Sequence, residues 1–243
     1  MGSLILSNAK LWLAGYDLSG QSNALALEYS AEEKDETAFG MGTRKNKGGL
    51  KVIGASAEGF WEAGVGLLDE GIFTRIGVSD EVVSMAAEAD GAEGQIGYTF
   101  KSLLATYEPL FTEVGEIAPF SFRASGRDVL ARGTIVHNAT RTASGNGTAF
   151  ELGEVAVGKK LYAALHVLSA VGTSPTLDVI VQSDDAQGFG SPTSRITFGQ
   201  KTAIGAEWAT PVAGAIADTW WRVNYTIGGT LPSLRFVVIL AIQ

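Results

Sequence analysis

The 243-residue chain has no cysteine, two histidines, six prolines and three methionines. Without a thiol there is no disulfide framework, no thiolate zinc site and no cysteine nucleophile. His137 and His166 are too few for a multi-histidine metal site. No stretch approaches about 18 consecutive apolar residues, so no transmembrane helix is expected. The opening "MGSLILSNAKLWLAG" has no basic flank, and Lys10 interrupts its short apolar run, so no export signal is expected. The N-x-[ST] matches at Asn138, Asn146 and Asn224 are then chance, and synthesis in a cytoplasm without a membrane partner is expected.

Charge is also scarce. Charged residues are 18% of the chain, against about 25% in ordinary soluble domains. With 46% apolar residues, such a surface is expected to be covered by copies of the chain or by partners. The net charge of −8 is uneven: residues 1–137 hold 19 acids and 11 bases, whereas residues 138–243 hold 7 of each. An acidic total opposes wrapping nucleic acid, which needs a basic footprint. It is compatible with a surface that repels DNA.

What the sequence does contain is alternation. Leu25, Leu27 and Tyr29 share one face of "ALALEY". The same period places Leu161, Ala163, Leu165 and Val167 together, then Leu177, Val179 and Val181. Trp221, Val223, Tyr225 and Ile227 form another set, and Leu234, Phe236, Val238, Leu240 and Ile242 the last. Period-two runs bounded by turn residues predict antiparallel strands. The fold class expected is mainly β: antiparallel sandwich or barrel modules with one short flanking helix. In "FWEAGVGLLDEGIF", Trp61, Val65, Leu68 and Ile72 recur at helical spacing, which predicts a helix near 60–71. Gly71 is expected as its left-handed C-cap. The Ser/Thr/Asn/Gly-rich stretch 136–150 and the shift in charge predict two modules, residues 1–137 and 138–243.

The motifs that suggest chemistry lack the context it needs. "GMGTRKNKGG", residues 40–49, could cradle a phosphate, but Lys47 is followed by Gly48 rather than a hydroxyl, and the segment beyond reads as a strand, not a helix. A long polar hairpin loop fits better. "GASAEG" has one residue too many for a nucleophile elbow. Asp184 and Asp185 could bind calcium with loop carbonyls, although paired acids in a turn more often cap it. Trp220 and Trp221 could stack on a sugar, but strand neighbours point to opposite faces, so one is expected in the core and one at a rim. No enzyme signature, catalytic residue, cofactor or metal site is expected. The basic flank Arg44, Lys45 and Lys47 faces an acidic one, Glu32, Glu33, Asp35 and Glu36. These seven residues are expected to form an inter-subunit loop, in which the bases of one copy dock on the acids of an adjacent copy.

The block "LEYSAEEKDETAFGMGTRKNKGGLKVIGASAEGFWEAG", residues 27–64, resembles the tail tube (major tail) proteins of tailed bacteriophages. It has a strand, D-x-T-x-F-G, a polar loop, "GGL", a second strand and an aromatic-led helix. The second half is similar to a β module that recurs in phage virion proteins. The resemblance implies a sandwich whose strands join those of neighbours in rings, trimeric or hexameric, which stack into a tube in the virion tail. It implies that the loop at 32–49 reaches the next ring, that other phage tail proteins are partners, and that DNA passes along an acidic lumen without specific binding. Assembly would take place in the host cytoplasm. A head decoration or minor tail protein, or a carbohydrate-binding virion module, remains the alternative.

Overall fold

The structure is a computed structural model that describes residues 7–64 and 67–243. The first half contains β1 (Lys10–Leu13), β2 (Tyr16–Asp17), β3 (Ser22–Asp35), β4 (Asn46–Phe60), α1 (Leu68–Phe73), β5 (Ser79–Ala86), β6 (Ile96–Pro109) and β7 (Pro119–Gly126). Then follow β8 (Ala131–Arg141), β9 (Gly145–Asn146), β10 (Phe150–Glu151), β11 (Lys160–Asp184), β12 (Thr193–Thr197), β13 (Gly205–Trp208), β14 (Val212–Ala213) and β15 (Trp220–Ile242). All belong to one antiparallel sheet whose main path runs β12-β11-β15-β8-β6-β5-β1-β2. The expected mainly β class with one short helix is what the chain adopts.

The period-two runs become its two longest strands. β11 and β15 pair from Leu161 opposite Ile242 to Asp184 opposite Trp220. Their odd-numbered and even-numbered residues respectively include Leu161, Ala163, Leu165, Val179, Leu234, Phe236 and Val238, all buried in one cluster. Both halves of this ribbon feed the same core, so it must fold over near its middle. The ladder loses register between Val171 and Thr176. Gly172 sits there at φ 125°, facing a second corner at Gly229 with φ 105°, conformations that glycine adopts readily.

A separate core gathers Leu11, Leu13, Ile53, Ala57, Val83, Phe100, Phe120 and Phe122 from β1 and β4 to β7. Between the two lies a smaller cluster in which Trp12, Ala86 and Ile135 meet Val237 and Ile239. A buried polar link spans the same seam. Ser84 Oγ donates to Thr99 Oγ1 at 2.7 Å and lies 2.8 Å from His166 Nε2. Strand β8 is paired on both sides of the seam, with β6 through Ala131–Thr134 and with β15 through Thr134–Arg141.

The helix is shorter than its stripe predicts. It spans Leu68–Phe73, with Trp61 outside it and Val65 outside the described residues. The spacing of Leu68 and Ile72 is helical, and both are buried. Gly64, at φ 147°, is in backbone that does not propagate a helix. Gly71 is inside the helix, not its left-handed cap; the helix ends at Thr74 in right-handed geometry. Glycine is needed there for space, because a Cβ would approach the Tyr16 ring at 2.8 Å. Trp61 is tied to the helix from outside, through its indole N–H to Asp69 Oδ1 at 3.1 Å. Tyr107 donates to the same oxygen at 2.8 Å. Burial, and then this bond, raise the Tyr107 phenol above its ordinary range.

Candidate functional site

Four strands, β3-β4-β7-β6, make a sheet layer with two unlike faces. Alternation turns Leu25, Ala57, Phe122 and Tyr107 inward as one cross-strand row, and Leu27, Ala55 and Ala124 as the next. The opposite face carries Ala24, Glu58, Ser121 and Glu108 in one row and Ala26, Ser56, Arg123 and Thr106 in the next. Glu28 follows, its carboxylate 3.5 Å from the Arg123 guanidinium. This outer face is small-residued and net acidic, with Glu28, Glu58 and Glu108 against Arg123. A core face requires apolar side chains; among the described residues these outer-face positions belong to no core cluster.

At one end the β3–β4 hairpin leaves the layer. β7 pairs with β4 only from Gly54 onward, so residues 46–53 of β4 have β3 as their ladder partner. At about 3.3 Å per residue this arm projects roughly 25 Å. Tyr29, Leu50 and Val52 are exposed on it, Leu50 at 76%. Among the described residues, β3 pairs with β4 alone, leaving its outer edge of backbone N–H and C=O groups without a strand.

All seven residues expected in the loop lie on this arm. The polar loop at 32–49 is narrower than expected, because β3 continues to Asp35 and β4 begins at Asn46. The ladder extends through polar residues because their side chains satisfy one another across it and along β3. Asp35 accepts from Thr37 N at 2.8 Å and Arg44 Nε at 3.0 Å. The Thr37 bonds, with Arg44 beside them, hold the Asp35 carboxyl below its ordinary value. Glu36 lies 3.7 Å from Lys45 Nζ and 3.2 Å from Lys47 Nζ, Glu32 2.6 Å from Lys34 Nζ, and Glu33 accepts from Asn46 Nδ2 at 3.2 Å. Within one chain the basic and acidic flanks pair with each other. At the tip Phe39 is fully exposed at 110%, with Met41 half exposed.

The sequence reading missed the other end of this layer. The turn between β6 and β7, residues 110–118, exposes Leu110, Phe111, Val114 and Ile117, with Val114 at 107%. Its signal was present as apolar residues between Pro109 and Pro119, around Gly115.

Among the other candidates, Asp184, Trp221 and the Ser84–His166 pair are engaged in contacts within the chain. Asp184 is buried and accepts from Ala186 N at 3.2 Å and Ser191 N at 2.9 Å, capping its own turn. The Ser191 amide holds Asp184 below the usual carboxylate range and the adjacent acid pushes Asp185 above it. Among the described residues no group of three His, Cys, Asp or Glu could hold a metal. Trp221 is sealed in the core and donates to Gly153 O at 2.8 Å, while Trp220 is half-buried at the ribbon's end. Ser84 and His166 form a Ser–His pair, but both are fully buried, and His166 Nδ1 has no partner among the described residues.

No protein-family model matches the chain, and no curated protein matches it. Among solved structures it is similar to a chain of an extracellular contractile injection system sheath–tube complex in the extended state. That match has 8% identity over 54% of this chain and 92% of the other, at a TM-score of 0.43. It is similar to the Dit protein of phage SPP1, described as a paradigm of the hub adsorption apparatus of phages infecting Gram-positive bacteria. There the identity is 13% over 97% of this chain and 99% of the other, at a TM-score of 0.37. A chain of a native gene transfer agent virion matches at 14% identity over 50% of this chain and 94% of the other, at 0.36.

Proposed function

We propose that the chain is a non-enzymatic structural subunit of a tailed-phage-type virion, building tail rings that stack around a channel for DNA. The observation that carries this reading is β3, a 14-residue strand with an open outer edge that continues into an exposed arm. Proteins that remain single normally shorten, twist or cover such an edge. A long bare edge is instead a template for a strand from another chain. A second copy supplies it here, and repetition around an axis closes the layer into a ring.

The polar face of the same layer then lines the channel. Its small side chains keep the wall smooth, and Glu28, Glu58 and Glu108 repel phosphates, so DNA slides without a specific site. The chain is read as two modules, residues 1–137 and 138–243, of which the first builds the wall. Arm residues Glu32, Glu33, Asp35, Glu36, Arg44, Lys45 and Lys47 contact neighbouring copies, and other tail proteins meet the two ends of the tube. Rings are trimeric or hexameric and assemble in the host cytoplasm.

Hydrogen exchange tests the open edge. Amides on the outer edge of β3 should exchange fast in dilute subunits and become protected as the protein assembles. Equal protection in the two states would overturn the reading.

A further inference from the structure

Three strands place a polar row where the two large cores meet. Trp12 of β1 is opposite Ser84 of β5, and Ser84 is opposite Thr99 of β6, so the three side chains share one face. His166 of β11 meets that face from the other side, with Ala206 and Val237 as its own cross-strand neighbours. All four are buried, Thr99 at 1% exposure and the others at 0%. Ala86, Ile135, Val237 and Ile239 close around the Trp12 ring as an apolar cluster.

The proton positions in this row follow from counting donors. The Val83 carbonyl can only accept, so its bond with Thr99 Oγ1 at 3.3 Å takes the one hydroxyl proton of Thr99. Thr99 Oγ1 is then the acceptor for Ser84 Oγ at 2.7 Å, which uses the proton of Ser84. Ser84 has only lone pairs left for His166 Nε2 at 2.8 Å, so Nε2 carries the imidazole proton. A neutral ring has one N–H, which makes Nδ1 an acceptor. Among the described residues that acceptor has no partner, and neither has the Trp12 indole N–H, which can only donate. One unpaired donor and one unpaired acceptor thus lie in the same apolar seam, on rings whose centroids are 6.4 Å apart.

We infer that a single buried water molecule bridges Trp12 Nε1 and His166 Nδ1, accepting from the indole and donating to the imidazole. Two hydrogen bonds of about 2.9 Å in sequence match rings at this separation. An unpaired polar group in such a seam is costly, and a water held on both sides removes both costs at once. The hydrogen-bonded chain then runs from Val83 through Thr99, Ser84, His166 and the water to Trp12. It leaves the β1-β5-β6 face, crosses to β11 and returns. Apolar neighbours such as Ala86 and Ile239 would tolerate a small slide between the two sides, whereas a completed polar chain fixes one register.

A crystal structure at a resolution that shows ordered solvent tests the site directly. The expected result is a density peak within hydrogen-bond reach of both Trp12 Nε1 and His166 Nδ1. No peak there, or a peak that reaches only one of the two nitrogens, overturns the inference. Nitrogen-15 spectra of the dissolved subunit near pH 7 test the proton count, and His166 should be the Nε2–H form. The Nδ1–H form would overturn the assignment, because the water would then have no acceptor on the ring. Ser84→Ala should release the ring into a mixture of both forms; a pure Nε2–H form in that variant would contradict the role given to Ser84. Trp12→Phe removes the indole donor, so the peak should be lost while Nε2–H remains. A peak that persists beside His166 alone would overturn the bridge.

Discussion

Trp61 and Trp221 both carry an indole N–H bonded to oxygen, yet they play different parts. Trp221 is fully buried in the second core, and truncation to alanine should cost about 4 kcal/mol. Trp61 is half-buried at the margin of the first core, so Trp61→Ala should cost only about 2 kcal/mol. Trp61→Phe, which keeps the packing but loses the bond to Asp69, should cost about 1 kcal/mol. Urea unfolding followed by circular dichroism checks this order; a Trp61→Ala variant less stable than Trp221→Ala would contradict it. The acidic limb of stability belongs to two other residues. Burial lowers His166 from 6.5 to about 3, so the unfolded chain takes up its proton first and stability falls as pH drops from 6.5. The His137 contact, 3.2 Å from Nδ1 to Glu93 Oε1 though poorly aligned for a hydrogen bond, is the largest cause that lowers Glu93 from 4.5 to about 2. That carboxylate stabilises the fold above 4.5, and the contribution is lost as pH falls toward 2. Unfolding measured from pH 7 to 2 should therefore show a steady decline. Glu93→Gln should flatten the part below 4.5 and leave the slope nearer neutrality; an unchanged acid limb would contradict this assignment.

Strands were more legible in the sequence than the helix, for a physical reason. Burial on one face of β11 and β15 imposes alternation, which Leu177–Val181 and Trp221–Tyr225 display, whereas Phe236–Leu240 is buried on both faces. Nothing in that alternation tells where a ribbon turns back, which the corners at Gly172 and Gly229 decide through tertiary packing. The stripe contained one true helical pair, Leu68 and Ile72, whereas Trp61 precedes the helix and is kept near it by an indole bond to Asp69. The arm's charges were visible as opposite flanks, but their pairing within one hairpin depends on strand register. The turn at 110–118 was overlooked because exposure, not composition, distinguishes its apolar residues. At this scale the arm predicts its own behaviour. Arg44→Glu, Lys45→Glu and Lys47→Glu should leave the subunit folded, since exposed pairs contribute about 0–1 kcal/mol each. The same variant should fail to polymerise, and moderate salt should slow wild-type assembly through screening over about 8–10 Å. Proteolysis of free subunits should cut within 36–45, with protection after assembly. Electron microscopy shows the polymers and circular dichroism the fold; normal polymers from the triple variant would remove the arm's charges from the account.

At the scale of the whole molecule, low charge, an acidic first half and an open sheet edge describe a surface made to be covered. The outer face of the β3-β4-β7-β6 layer separates the channel assignment from other modes of assembly. Changing Glu28, Glu58 and Glu108 to lysine should leave assembly intact while converting a repelling wall into one that retains DNA, with retention falling steeply as salt rises. Assembled variant that binds DNA no better than wild type would move that face away from the channel. The most direct measurement is electron microscopy of the purified chain at rising concentration. The account predicts rings of one diameter with a central hole, then stacks of those rings. Monodisperse single subunits throughout the range, or sheets with no axial channel, would contradict it.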